Sequence, residues 1–421
     1  MKILHINTFD NEGGAAIAAF RLHKAMRISG IDSKYFVLNR TIIDRSDIKT
    51  VSRNNFYKKI VFNMLLLINF LFELIATKNM KKVKGLFSSF ICGIAISKEK
   101  EIIEADIIYI HWIDSFVSYR ELKNILKTGK PVFWFMHDMF AITGGCHYSF
   151  ECTNYQTQCC KCPYHSGGLL TDISVRQYNR KKKIYKQFDN LMFIAPSKWL
   201  YDCAKRSALA ENKKIYHIPH FIDESLFKPF GKGTARQIFS LDKSAKIIGF
   251  GASFALVNPY KGWNYLREAL HILSEDETLK GMKIELLIFG SSYSEEIADS
   301  VPFPAHFLGH LHDEYSLVIA YNCMDVFVTP SIVEAFGLTI IESLACNVPV
   351  VGFNVGGIPD MVNENTGYLA EYKNSSDLAS GISFLLREEK LNVRKAVNSF
   401  MPETTMEEHK KIWNKNISEV L

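Results

Sequence analysis

This chain of 421 residues has no low-complexity tract, and with 48% hydrophobic and 22% charged residues its composition excludes disordered and fibrous classes. No apolar run reaches the roughly 20 residues of a membrane-spanning helix. The longest, IVFNMLLLINFLFELIA at 60–76, has 17 residues and is interrupted by Asn63, Asn69 and Glu73. A dense basic field is also missing. The formal net charge of +6 leaves room for anionic partners such as nucleotides or acidic lipid heads, but no zinc-finger, homeodomain or RNA-binding motif accompanies it, so no nucleic-acid partner is expected. The start, MKILHINTF, lacks the charged segment, long apolar run and cleavage site of a signal peptide and reads as a buried strand, so the expected location is the cytoplasm. Nine cysteines would there be mostly reduced, and a cluster among them points to metal rather than disulfides.

What is present is a repeated alternation of short apolar runs and helical stretches. Its length predicts two domains of about 200 residues. Lys2 to Asn7 is strand-like, and Gly13-Gly14 followed by AAIAAFRLHKAMRISG gives a glycine loop opening an amphipathic helix that ends at Gly30. Further runs at Tyr35–Leu38, Ile107–His111, Val132–Met136 and Met192–Ala195 are spaced as a parallel sheet requires. After Ile218-Pro219 the segment HFIDESLFKPFGKG turns polar and reads as a linker. The pattern restarts with Ile247–Gly251, Glu285–Phe289, Ala305–Leu308, Asp325–Val328 and Val348–Phe353. The expected class is α/β with two doubly wound domains, 1–228 and 229–400, and a helix-compatible tail at 401–421.

Asp325 to Val362, DVFVTPSIVEAFGLTIIESLACNVPVVGFNVGGIPDMV, holds the densest signal. Val326-Phe327-Val328 is a buried parallel strand stopped by Thr329-Pro330, and Leu338 to Ala345 has helical spacing. The turn Phe336-Gly337-Leu338-Thr339 leaves backbone N–H groups at a helix start, where they and the helix dipole favour a phosphate. Glu334, before the helix, and Glu342, inside it, are acceptor-only groups suited to hydroxyls on either side of that phosphate. Hydroxyls flanking a diphosphate describe a nucleotide sugar.

The whole string resembles the E-x7-E signature of the family 4 retaining glycosyltransferases, including the proline-serine before it and the Gly356-Gly357 turn after it. The resemblance extends over nearly the whole chain and implies the GT-B architecture, two Rossmann-like domains facing across a cleft, in which the last helix crosses back to the first domain. It implies that Glu334 binds the donor sugar, that Phe336, Gly337, Leu338 and Thr339 meet sugar and diphosphate, and that Glu342 binds ribose. Lys261, followed by glycine in a strand-to-helix loop, is placed to reach a diphosphate as a point charge. The family's arginine a few residues earlier has no counterpart around Ser253 and Phe254. His137 closes the strand VFWFM, where doubly wound domains bind ligands, and can donate to a developing charge or a sugar hydroxyl. The family's histidine after this strand contacts the donor sugar, and Asp138 is expected to orient it. Gly13 and Gly14 match first-loop glycines near the diphosphate or the acceptor. His137, Glu334 and Lys261 are thus the candidate catalytic residues.

Cys146, Cys152, Cys159, Cys160 and Cys162 crowd one stretch with His147 beside them. Four thiolates, Cys146, Cys152, Cys159 and Cys162, can make a structural zinc site; a disulfide-capable loop and plain buried thiols are the rivals. The string TGGCHYSFEC…CCKCP also resembles colanic-acid exopolysaccharide glycosyltransferases. Residues 60–76 read either as a buried helix or as an in-plane membrane helix, the latter supported by Lys78, Lys81, Lys82 and Lys84.

The expected function is retaining transfer of a sugar from a UDP- or GDP-sugar to a hydroxyl of a glycan, lipid-linked and bound for a surface polysaccharide, at the inner face of the cell membrane. No cofactor is required for the chemistry. The rivals are another GT-B enzyme such as a nucleotide-sugar epimerase, or a membrane-attached scaffold with an inactive transferase fold. A phosphorylase would show a lysine cofactor site, which is absent from the sequence.

Overall fold

The structure is a computed structural model and describes residues 1–43, 45–51, 60, 63–64, 66–68, 70–71, 87–160, 162–163, 173–252, 256, 258–388 and 391–417. The chain divides into two compact units, Met1–Pro219 with Met406–Leu421, and His220–Thr405.

The first unit carries a seven-stranded parallel sheet of β1 (Lys2–Phe9), β2 (Asp32–Asn39), β3 (Ile48–Thr50), β4 (Ile107–Ile110), β5 (Val132–Phe135), β6 (Leu191–Ala195) and β7 (Ile215–His217), in the order 3-2-1-4-5-6-7. Every residue of β4 (IIYI), β5 (VFWF) and β6 (LMFIA) is buried, as expected for parallel strands covered on both faces. Helix Gly14–Ile28 buries Ala16, Ala18, Ala19, Leu22, Ala25 and Met26, and small side chains let it lie close to the sheet. In the last helix, Pro402–Ile417, Met406, His409, Ile412, Trp413 and Asn416 recur at helical spacing and are buried. The Trp413 indole donates to the Tyr109 hydroxyl at 2.7 Å, and that hydroxyl lies 2.8 Å from His409 Nδ1. Trp413→Ala should therefore cost about 3–5 kcal/mol, read as a drop in denaturation midpoint. A cost below about 1 kcal/mol would show that the tail does not hold this unit together.

The second unit has a six-stranded parallel sheet of β8 (Lys246–Gly251), β9 (Ile284–Phe289), β10 (Ala305–Phe307), β11 (Val326–Thr329), β12 (Val350–Phe353) and β13 (Gly367–Ala370), in the order 10-9-8-11-12-13. Two apolar layers cover its faces. One gathers Leu287, Phe327, Tyr321 and Ile341; the other gathers Ile248, Trp263, Val328 and Ile382.

The expected linker is a correction. Ile222 and Phe227 are fully buried in the second unit, and the Ile222 N–H donates to the Phe400 carbonyl at 2.9 Å, so the boundary falls at Pro219 rather than after residue 228. The polar residues around these two hydrophobics masked their anchoring role.

Candidate active site

In the second unit the strand order reverses between β8 and β11, and ligands of open parallel sheets bind beyond the carboxyl ends at such a switch point. The loop after β8 supplies Lys261 and the loop after β11 supplies Glu334. Their side chains meet, Lys261 Nζ lying 2.7 Å from Glu334 Oε2, with 25% and 14% of each side chain exposed. Ser331 Oγ approaches the same oxygen at 3.4 Å.

Backbone contacts fix both loops. Gly262 follows Lys261 at φ +70, and a Cβ there would stand 1.8 Å from the Pro330 carbonyl oxygen. The Ile332 N–H donates to the Tyr260 carbonyl at 2.9 Å, tying the lysine loop to the glutamate loop. The Gly357 N–H donates to the Glu334 carbonyl at 2.9 Å, and a Cβ on Gly356, at φ +59, would stand 2.1 Å from that carbonyl oxygen. The Gly356-Gly357 turn thus lies directly against the Glu334 backbone.

Helix Leu338–Ala345 opens at Gly337 with no side-chain cap. An uncapped start leaves first-turn amides for a ligand. Phe336 is buried, edge-on to His220 at 5.0 Å between centroids, whereas Leu338 and Thr339 are half-buried. Glu342 is 4% exposed and accepts from the Tyr321 hydroxyl at 2.9 Å. The helix therefore carries one carboxylate at its approach and one turned inward toward Tyr321. Tyr321 gave no signal in the sequence, being one apolar-face residue among many in helix Glu314–Cys323.

In the first unit Gly13 caps helix Gly14–Ile28 at φ +83, and a Cβ on either Gly13 or Gly14 would meet nothing within 4 Å. His137 follows β5 and is half-buried, with Nε2 3.0 Å from Nδ1 of His111, the residue that closes the neighbouring β4. Burial pushes His137 down to about 4, so it is neutral at pH 7. The expected role of Asp138 is corrected. Its carboxylate accepts from the Phe140 N–H at 2.6 Å and lies 2.7 Å from His147 Nδ1, while His147 Nε2 lies 2.7 Å from Ser88 Oγ. Successive residues at a strand end point to different sides, so Asp138 orients His147 and His111 holds His137. His111 carried the same end-of-strand signal in the sequence as His137.

Among the described residues no three His, Cys, Asp or Glu side chains are grouped to hold a metal ion. None of the nine cysteines, all of them among the described residues, is in a disulfide. A hydrogen bond with Cys162, burial and the nearby Cys159 and Cys152 push the Cys146 thiol well above its usual value, and the Cys159 sulfur accepts from the Gly144 N–H at 3.2 Å.

The family described as Glycosyl transferases group 1 matches residues 245–388, the stretch that holds Lys261, Glu334 and Glu342. Residues 245–388 are a group 1 glycosyl transferase domain. Among curated relatives, D-inositol 3-phosphate glycosyltransferase of Actinosynnema mirum is 30% identical over 191 residues, 41% of this chain and 44% of that protein. Capsular polysaccharide biosynthesis glycosyltransferase CapM of Staphylococcus aureus is 33% identical over 155 residues, 33% of this chain and 40% of CapM. The matched stretches span less than half the length of these relatives. Among solved structures, sucrose-phosphate synthase from Thermosynechococcus elongatus superimposes with a TM-score of 0.65 at 17% identity, covering all of both chains. Anabaena HepE, solved with UDP and glucose, superimposes with a TM-score of 0.63 at 15% identity, covering 99% of each. The fold around the glycosyl transferase domain is that of the GT-B glycosyltransferases.

Proposed function

We propose that the chain is a retaining glycosyltransferase that moves a sugar from a nucleotide diphosphate sugar to a hydroxyl of a glycan. The observation that carries this reading is the Lys261–Glu334 pair beyond adjacent strands β8 and β11, beside the uncapped start of helix Leu338–Ala345. Charge builds on the diphosphate as its bond to the sugar breaks, and stabilising that charge is the main catalytic task. Lys261 and the Phe336–Thr339 amides take the diphosphate. As Lys261 turns to it, the Glu334 carboxylate is released to accept from sugar hydroxyls, and Glu342 accepts from ribose hydroxyls. Family resemblance assigns His137 a contact with a sugar hydroxyl. Same-face displacement, in which the acceptor hydroxyl attacks on the side the diphosphate leaves, fits a set of residues with no covalent nucleophile. Gly13 and Gly14, whose surroundings are open, are assigned to the diphosphate or the acceptor.

The experiment is a melting-point panel of UDP-, GDP- and ADP-sugars, followed by hydrolysis of the best binder without acceptor and NMR of the anomer first released. A ligand bound only by the folded state raises the melting point, by about 2.7 kcal/mol of stability at 100 times its Kd. One donor should do so and release sugar with its anomeric configuration kept. No shift from any donor, or inversion, would overturn the reading.

We also assign the acceptor to a membrane surface, as a lipid-linked glycan. Residues 60, 63–64, 66–68 and 70–71 are helical, and Ile60, Met64, Leu67 and Leu71 are 44–56% exposed. At 100° per residue these four lie within about 60° of arc, an apolar stripe suited to the headgroup boundary. Lys78, Lys81, Lys82 and Lys84 lie outside the described residues. Replacing Ile60, Met64, Leu67 and Leu71 together with serine should abolish co-flotation with vesicles rich in anionic phospholipid while donor binding survives. Unchanged flotation would remove the membrane from the account.

A further inference from the structure

Helix Ile173–Gln187 of the first unit, ISVRQYNRKKKIYKQ, holds six cations, Arg176, Arg180, Lys181, Lys182, Lys183 and Lys186, and no acidic residue, as much positive charge as the formal net +6 of the whole chain. Lys181 is turned into the fold, where it donates to the Phe140 and Thr143 carbonyls. The other five lie on the opposite side. At 100° per residue they fall within about 160° of arc, centred away from buried Ser174 and Lys181. Arg176, Lys182, Lys183 and Lys186 are exposed, and Arg180 is half-buried with its guanidinium 4.4 Å from the centre of the Tyr119 ring. Arg120, on the neighbouring helix Tyr119–Leu126, stands 5.7 Å from the same ring and extends the field.

The helix itself gains nothing from such a face. Arg176 with Arg180, Arg180 with Lys183, Lys182 with Lys186, and Lys183 with Lys186 are three or four positions apart, the spacing at which like charges on a helix repel. Arg176 also lies close to the helix start, where the dipole favours acids and none is present. Among the described residues none of these five cations, nor Arg120, is in an ion pair, and the next acidic residue along the chain, Asp189, is paired with Lys213 at 3.6 Å. An anionic partner would relieve the repulsion.

From Arg176 to Lys186 the cations run along about 15 Å of helix, so the matching partner is an extended anionic surface rather than a single phosphate. The exposed apolar stripe of Ile60, Met64, Leu67 and Leu71 belongs to the same unit, and apolar side chains suit the headgroup boundary of a bilayer but not a nucleic-acid backbone. Basic clusters on a helix are attracted to acidic lipid heads, and stable attachment takes an apolar and a basic signal together.

We propose that the outer face of helix Ile173–Gln187 is a docking surface for an anionic phospholipid leaflet, with Arg176, Lys182, Lys183 and Lys186 against the headgroup phosphates. It rests on the membrane reading given above and not on the transferase chemistry. Attachment then follows the density of acidic lipid and weakens with salt.

The test is co-flotation of the full chain with vesicles of phosphatidylcholine alone and of phosphatidylcholine mixed with phosphatidylglycerol. The parent should bind the mixed vesicles and bind the neutral ones far more weakly, and its hold on the mixed vesicles should fall at least about tenfold as salt is raised from about 0.1 M to near 1 M, where the screening length shrinks from about 10 Å to about 3 Å. Arg176→Gln, Lys182→Gln, Lys183→Gln and Lys186→Gln combined should weaken binding to the mixed vesicles on the order of 100-fold or more, at roughly fivefold per cation removed, with binding to neutral vesicles and the melting point unchanged. The salt series on the parent tests the same claim without a variant. Parental binding of mixed vesicles by the fourfold variant, or salt-independent binding by the parent, would overturn the docking surface and leave the apolar stripe as the membrane contact. A parent that binds neither vesicle would remove the membrane from both readings. Duplex DNA bound by the parent as tightly as the mixed vesicles, and lost in the variant, would assign the face to nucleic acid instead.

Discussion

Gly356→Ala is expected to lower kcat/KM about 100-fold while leaving the protein folded. At φ +59 the added Cβ would stand 2.1 Å from the Glu334 carbonyl oxygen and 3.1 Å from its backbone nitrogen, and backbone atoms cannot yield as a flexible side chain can. Glu334 must therefore move, and a displacement of about 1 Å at a positioned group costs on the order of 10²-fold in rate. Gly262→Ala should act in the same way on Lys261, because its Cβ would meet the Pro330 carbonyl oxygen at 1.8 Å. Gly281→Ala is the control. Gly281 has φ +85, yet a Cβ there meets nothing within 4 Å, so this variant carries only the left-handed strain of about 1–2 kcal/mol. Activity falling in all three alike would assign the effect to lost stability. Activity surviving in Gly356→Ala would show that the glycine turn does not position the site.

The second large effect is acid sensitivity of the first unit. Burial holds His23 and His137 at about 4 and His409 at about 3, and keeps His5 well below the usual value; at His23 the Asp47 carboxylate opposes the shift without reversing it. These folded values lie below the 6.5 of an unfolded histidine, so between pH 6.5 and about 4 the unfolded chain binds more protons. The stability these groups contribute is fully present above pH 6.5 and is lost as pH falls toward 4. Each pKa unit corresponds to about 1.4 kcal/mol, so the coupled set should withdraw several kcal/mol, a large share of the 5–15 kcal/mol typical of a folded domain. Asp47 is held below the usual carboxylate range, first by Arg45, and its loss comes only below that window. Urea midpoints should fall steadily from pH 7 to pH 5. A flat midpoint over that interval would show that these histidines are not buried and neutral.

Both parallel sheets were legible in the sequence because their central strands, such as IIYI and VFWF, are short apolar runs bounded by polar turns. Helix Leu338–Ala345 has the bounds its spacing predicts. The edge strands β3 and β7 escaped notice because three residues, partly exposed, carry no period. Val348 and Pro349 read as strand from their apolar neighbours, yet the strand begins at Val350. Among the candidate residues, those that place a polar side chain in the loop after a strand, Lys261, Glu334 and His137, could be picked out from position alone. Their partners could not. Nothing local links Lys261 to Glu334 across 73 positions, or His137 to His111, because those pairings are made by strand order. For the thiol cluster, close spacing in sequence pointed to a shared metal; in the fold Cys146 has Cys152, Cys159 and Cys162 nearby, with no three metal-binding side chains grouped for an ion among the described residues.

The central claim is that the second unit holds a sugar nucleotide with Glu334 on the sugar and Glu342 on the nucleotide. It is tested most directly by titration calorimetry of the best-binding nucleotide sugar and of its free nucleoside diphosphate against the parent chain, Glu334→Ala and Glu342→Gln; the glutamine keeps an acceptor for the Tyr321 hydroxyl. Glu334→Ala should weaken the sugar nucleotide about tenfold or more and leave the free diphosphate nearly unchanged, whereas Glu342→Gln should weaken both alike. Both variants binding both ligands as the parent does would contradict it.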